Sequence, residues 1–179
     1  MVHRFVAALA VIGAAGFAVP AFAFDMPTRK PGLWALKMEF VGRNIPIREM
    51  KHCVDAATDK LMNSSFGGTT QQNCSQQKVN RFGNTTTIDS VCAFNGATVT
   101  SHAVVTGSFD DAYTVDVSST REGGRPVPGL PAKGATHMKI AAKWLGRCQA
   151  GQRPGDIIMP NGMTVNVLAM PRPPASAPR

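Results

Sequence analysis

The dipeptide Asn95-Gly96 separates two runs rich in β-branched residues, TTTIDSVCAF and ATVTSHAVV. A two-residue hairpin turn of type I′ needs positive φ at both central positions, and Asn-Gly adopts it readily. Folding there sets Phe94 opposite Ala97, Cys92 opposite Val99, Ser90 opposite Ser101, Ile88 opposite Ala103 and Thr86 opposite Val105. That face is mostly apolar. The other pairs Val91 with Thr100, Asp89 with His102 and Thr87 with Val104, and is more polar. A slip of one residue would exchange the two faces, so the pattern specifies the register. A turn through Ser108-Phe109-Asp110 continues the meander and sets Val105 near Tyr113 and Ala103 near Val115.

Alternation with period two recurs elsewhere. In GLWALKMEF the apolar set is Trp34, Leu36, Met38 and Phe40; in THMKIAAKW it is Met138, Ile140, Ala142 and Trp144. Both read as strands with one buried face. DAATDKLMNSS is the one helix candidate, with Asp55 as N-cap and Leu61 and Met62 on its apolar side. The segment Arg121 to Gly134 reads as a long irregular connection, and IIMPNGMTV as a short hairpin about Asn161-Gly162. The expected fold is mainly β: an antiparallel meander forming a curved sheet or small barrel, with one short helix.

The ends belong to other classes of segment. MVHR, a fifteen-residue apolar run and the small residues Ala21 and Ala23 make up a secretory signal peptide over residues 1–23, cut after Ala23. Residues 24–170 then form a single disulfide-stapled β domain, and 171–179 a proline-rich disordered tail. The expected location is periplasmic or secreted, with no membrane-spanning segment in the mature chain. Removing Arg4 leaves 18 basic residues against 11 acidic ones, a charge of +7. The bases are scattered and do not interleave with aromatics, so no nucleic-acid partner is expected.

Four cysteines in an exported chain imply two disulfides. No C-x-x-C is present, which removes thioredoxin-type and zinc-knuckle chemistry. A turn at Phe82-Gly83-Asn84 makes Cys74 and Cys92 cross-strand neighbours, leaving Cys53 to pair with Cys148. That register also puts Gln76 and Lys78 on the face of Ile88 and Cys92, which calls for a bulge or an edge position. Cys53–Cys74 with Cys92–Cys148 is the alternative connectivity.

Candidate chemistry is sparse. Asp89 facing His102 could orient a general base, although the same pair can be a solvated cross-strand contact. His52, His137 and the methionines Met159, Met163 and Met170 share no ligand spacing, so neither a metal nor a cofactor is expected. Trp34, Phe40, Phe94, Tyr113 and Trp144 could line a site for a small apolar ligand, or simply fill the core.

KPGLW at Lys30 to Trp34, four widely spaced cysteines, KWLGRC ending at Cys148 and the following RPGD occur in an order that resembles the bacterial family known as domain of unknown function 3617. The resemblance covers Pro31 to Asp156. It implies a small exported, envelope-associated domain and assigns no catalytic residue. The expected function is non-enzymatic binding of a small apolar or anionic ligand or an envelope component. A protein-interaction or envelope-stress module and a hydrolase using Asp89 and His102 are the alternatives.

Overall fold

The computed structural model describes residues 27–66, 74–94, 96–125 and 133–170. Strands β1 (Gly32–Phe40) and β2 (Arg48–Val54) precede helix α1 (Ala56–Phe66). Strands β3 (Cys74–Phe82), β4 (Thr85–Phe94), β5 (Ala97–Gly107), β6 (Ala112–Gly123) and β7 (Gly134–Gly146) follow as a meander. Strands β8 (Asp156–Ile158) and β9 (Thr164–Asn166) and a 3-10 turn at Val167–Ala169 complete the domain. The nine strands among the described residues share one antiparallel sheet in the order β3-β4-β5-β6-β7-β1-β2-β8-β9. The sheet is open, with β3 and β9 as its edges, and does not close into a barrel. The signal-peptide and tail segments lie outside the described residues, as does Asn95.

The Asn95-Gly96 hairpin has the expected pairing throughout, from Phe94 with Ala97 to Thr86 with Val105. Gly96 takes the positive φ, 75°, that such a turn demands. The next register differs. Val105 faces Val115 and Ala103 faces Val117, two residues on from the sequence reading, because the turn occupies Ser108–Asp111. Gly107 fixes that longer turn: its φ is 112°, and a Cβ there would sit 2.9 Å from the Tyr113 Cα. The shift is even, so the apolar face stays apolar.

The β3–β4 hairpin also departs from its simplest form. Cys74 does face Cys92, but Gln76 faces Val91 and Phe82 faces Thr85, so the register shifts between Cys74 and Gln76 and the turn is Gly83-Asn84. The extra residue brings Val79, rather than Lys78, opposite Ile88. Both disulfides, Cys53–Cys148 and Cys74–Cys92, are present. At the other end of the meander β6 runs on to Gly123 and pairs Arg121 with Gly134, so the expected loop from Arg121 begins later; residues 126–132 lie outside the described residues.

One face of the sheet carries the core. Trp34, Val54, Ala142 and Ile157 from four neighbouring strands meet Met62 of α1 and Val167 of the 3-10 turn. Helix α1 starts where Asp55 caps it: the carboxylate accepts from the Thr58 N–H at 2.8 Å, and the Thr58 hydroxyl accepts from the Asp55 N–H at 3.0 Å. Under the helix lies a buried polar cluster. Arg29 donates through Nε to Asp59 Oδ1 at 2.6 Å and through its backbone N–H to Oδ2 at 2.8 Å. Its guanidinium lies 3.4 Å from His52 Nδ1 and 5.9 Å from the Trp34 ring centroid. Arginine only donates, so His52 Nδ1 accepts and Nε2 carries the proton. That Nε2 is buried and has no hydrogen-bond partner among the described residues. Burial, and then the adjacent Arg29 charge, pull the His52 pKa down to about 3.

Candidate functional site: a groove on the polar face of the sheet

The face opposite α1 holds a depression of about 1120 Å³. Its walls are two rows of side chains that run across five strands. One row is Lys78, Asp89, His102, Ser118 and His137; the other is Gln76, Val91, Thr100, Thr120 and Ala135. Between them, Gln77, Ser90, Ser101, Ser119 and Thr136 point to the opposite face and contribute the backbone floor. Val41, Gly42 and Arg43, just past β1, close one end. The Val41 N–H donates to the His137 carbonyl at 2.9 Å, and Arg43 donates to the Ala135 carbonyl at 3.3 Å.

Two imidazole–carboxylate couples stand in this groove or at its rim. His102 Nδ1 is 2.6 Å from Asp89 Oδ1, as the hairpin register predicts. His137 Nε2 is 2.7 Å from Asp116 Oδ1, and Lys139 Nζ lies 3.7 Å from Asp116 Oδ2. Each aspartate fixes one ring nitrogen and leaves the other directed elsewhere. Ser118 lies between the two histidines, directly opposite His102 on one side and His137 on the other. All four side chains of the couples are between 39% and 53% exposed, so solvent screens the ion pairs.

The described residues of the groove do not assemble an acyl-transfer site. Among the described residues neither ring is hydrogen-bonded to the Ser118 hydroxyl. The floor belongs to ladder-paired strands, whose N–H groups are committed to their neighbours and do not form an oxyanion hole. No group of three or more histidine, cysteine, aspartate or glutamate side chains among the described residues could hold a metal ion. What converges instead is a set of donors: Arg43, Lys78, two histidines and the hydroxyls of Ser118, Thr100 and Thr120.

Of the five aromatic residues considered for an apolar site, Trp34, Tyr113 and Trp144 meet in the core, and Phe40 and Phe94 lie apart from it. Trp34 is fully buried, with Tyr113 at 5.6 Å between ring centroids, and its indole N–H donates to the Lys30 carbonyl. Trp144 packs against the same core; its N–H donates to the Pro31 carbonyl, and Lys30 Nζ lies 3.9 Å from its ring centroid. Phe40 is half-buried at the end of β1, and Phe94 is exposed beside the Asn95-Gly96 turn. Of the predicted polar residues, Asp89 and His102 stand together. The Asp116–His137 couple is not among the predicted residues, because it depends on the β6–β7 pairing, which the long connection from Gly123 to Gly134 leaves open in the sequence. A search for alternating polar residues in AYTVDVSST and ATHMKIAAK would have found it.

A family model described as protein of unknown function (DUF3617) matches residues 29–148. No curated protein and no solved structure matches the chain.

Proposed function

The chain belongs to the DUF3617 family of proteins of unknown function, and from that premise we propose that it is a non-enzymatic exported domain whose polar sheet face binds an anionic ligand. The observation that carries this reading is the convergence of Arg43, Lys78, His102 and His137 from four separate segments on one groove, against Asp89 as the single acid among its described lining residues. As imidazolium, each ring donates from both nitrogens, one to its aspartate and one to a ligand. Serine and threonine hydroxyls along the walls can complete the coordination of phosphate or carboxylate oxygens. Two disulfides fit an oxidising compartment, and no described helix is long and apolar enough to cross a membrane.

The test is native mass spectrometry on protein recovered from its own cells, followed by titration of the stripped protein with inorganic phosphate. Retention of an anionic species, and at least a roughly tenfold loss of phosphate affinity in Arg43→Glu/Lys78→Glu, is the expected result. Equal phosphate binding by the wild-type and charge-reversed proteins would overturn the reading.

A further inference from the structure

The polar face holds a second depression, of about 670 Å³, further along the same strands. Its surface is of a different kind. Ala35, Ala112, Ala141 and Leu145 give it apolar walls, and Lys51 and Lys143 stand over them. Leu145 is 47% exposed, a large apolar group left in solvent beside those walls. Lysine stems extend such walls with their own methylenes while their ammonium groups stay hydrated.

The two depressions are continuous in register. Along β5, β6 and β7, His102, Ser118 and His137 border the first, while Thr106, Thr114 and Ala141 border the second. The offset is four residues on each strand, about 13 Å at the rise of a β-strand. On the β6–β7 side the intervening surface is taken by Asp116, paired with His137 and Lys139. On β5 the intervening residue of this face is Val104, apolar and half-buried. Val104 therefore gives the donor groove one apolar exit along β5; beyond it Thr106 and Thr114 bond their hydroxyls to each other at 2.7 Å, and the alanine walls follow.

Resting on the groove reading above, we propose that the ligand is a single-chain anionic amphiphile, with its head in the groove and its hydrocarbon chain in the second depression. A head group alone would leave the second depression hydrated, and a neutral hydrocarbon would leave the donors of the first without a partner. Charge complementarity selects an acid: Lys51, Lys143 and the Lys37–Glu49 pair at 3.6 Å leave the second depression net positive as well.

Ethyl phosphate and dodecyl phosphate, the latter below its micelle concentration, are titrated separately into the full folded protein. Dodecyl phosphate is expected to bind at least ~100-fold more tightly, because its added methylenes leave water. Ala141→Glu, on an exposed strand position, is expected to reduce dodecyl phosphate affinity about tenfold or more and to leave ethyl phosphate unchanged. Leu145→Gln is the second variant, used if Ala141→Glu does not fold by circular dichroism. Equal affinity for the two phosphates overturns the amphiphile while the groove reading stands. Failure of both to bind overturns the groove reading and the amphiphile with it. Equal loss of both ligands in Ala141→Glu or Leu145→Gln refutes the placement of the chain.

Discussion

Burial of His52 beside the Arg29 guanidinium holds its pKa at about 3, against an unperturbed value of 6.5. Between those values the unfolded chain takes up a proton that the native state refuses, so stability rises with pH across the window and is lost as pH falls through it. The slope approaches about 1.4 kcal/mol per pH unit. Urea unfolding at pH 7 and pH 4 should therefore show an acid-induced loss about 3 kcal/mol larger in wild type than in His52→Gln, which cannot titrate there. An equal loss in both proteins would show that His52 is not the source. None of this cluster was legible in the sequence. Arg29 stands in the short stretch PTRKPG with no periodicity around it, and His52 and Asp59 sit 23 and 30 residues away. Only the packing of α1 over β2 brings the three together and excludes water from them.

At the level of elements, the two disulfides close loops of very different length, with separations of 18 residues for Cys74–Cys92 and 95 for Cys53–Cys148. Chain-entropy reasoning gives about 3 kcal/mol for the short loop and about 4–5 for the long one. Paired Cys→Ser replacements should rank in that order in thermal melts, with the Cys53/Cys148 variant melting lower. The reverse order would mean that native-state contacts, not loop closure, dominate. The elements are also where the sequence was most informative. Alternation in β1 and β7, the Asp55 cap and the Gly96 turn each depend on residues adjacent in the chain, and local chemistry suffices to locate them. The two departures in register differ in kind. The longer turn after Gly107 shifts the β5–β6 pairing by two residues and keeps the apolar face apolar, so alternation is blind to it. The irregularity at Ser75 shifts β3–β4 by one, and alternation does expose it, because Lys78 would otherwise share the face of Ile88. Asp89–His102 is readable because a two-residue turn joins its strands, whereas Asp116–His137 spans β6 and β7, whose pairing is separated by the long connection from Gly123 to Gly134 and is not fixed by local chemistry.

Over the whole molecule, a formal charge of +8 and a solvent-open groove make ligand capture sensitive to ionic strength. Raising salt from about 0.05 M to about 0.5 M shortens the Debye length from roughly 14 Å to roughly 4 Å. Inorganic phosphate affinity should fall by about tenfold over that range in wild type and change little in Arg43→Glu/Lys78→Glu. A salt-independent wild-type affinity would place the anion out of reach of these charges. The division of labour between faces explains this exposure. Helix α1 and the 3-10 turn pack on the core face of β7, β1, β2 and β8, whereas the donors stand on the opposite face of β3 to β7, where no described helix lies over them.

The Cys53–Cys148 bond also has a mechanical consequence. Strands β3 to β7 all lie between the two bonded residues, whereas β1 and β8–β9 lie outside them. A pull applied to the two ends of the chain travels through the segment before Cys53, crosses the sulfur bridge and leaves through the segment after Cys148. Strands β3 to β7, which carry the two rows of the donor groove, are bypassed by that load, whereas Ala35 and Lys51 of the second depression lie on β1 and β2, within its path. Tension on either terminus would strip β1 or β9 from the sheet before it extended β3 to β7, and loss of β1 would open the second depression while the rows of the groove stayed paired.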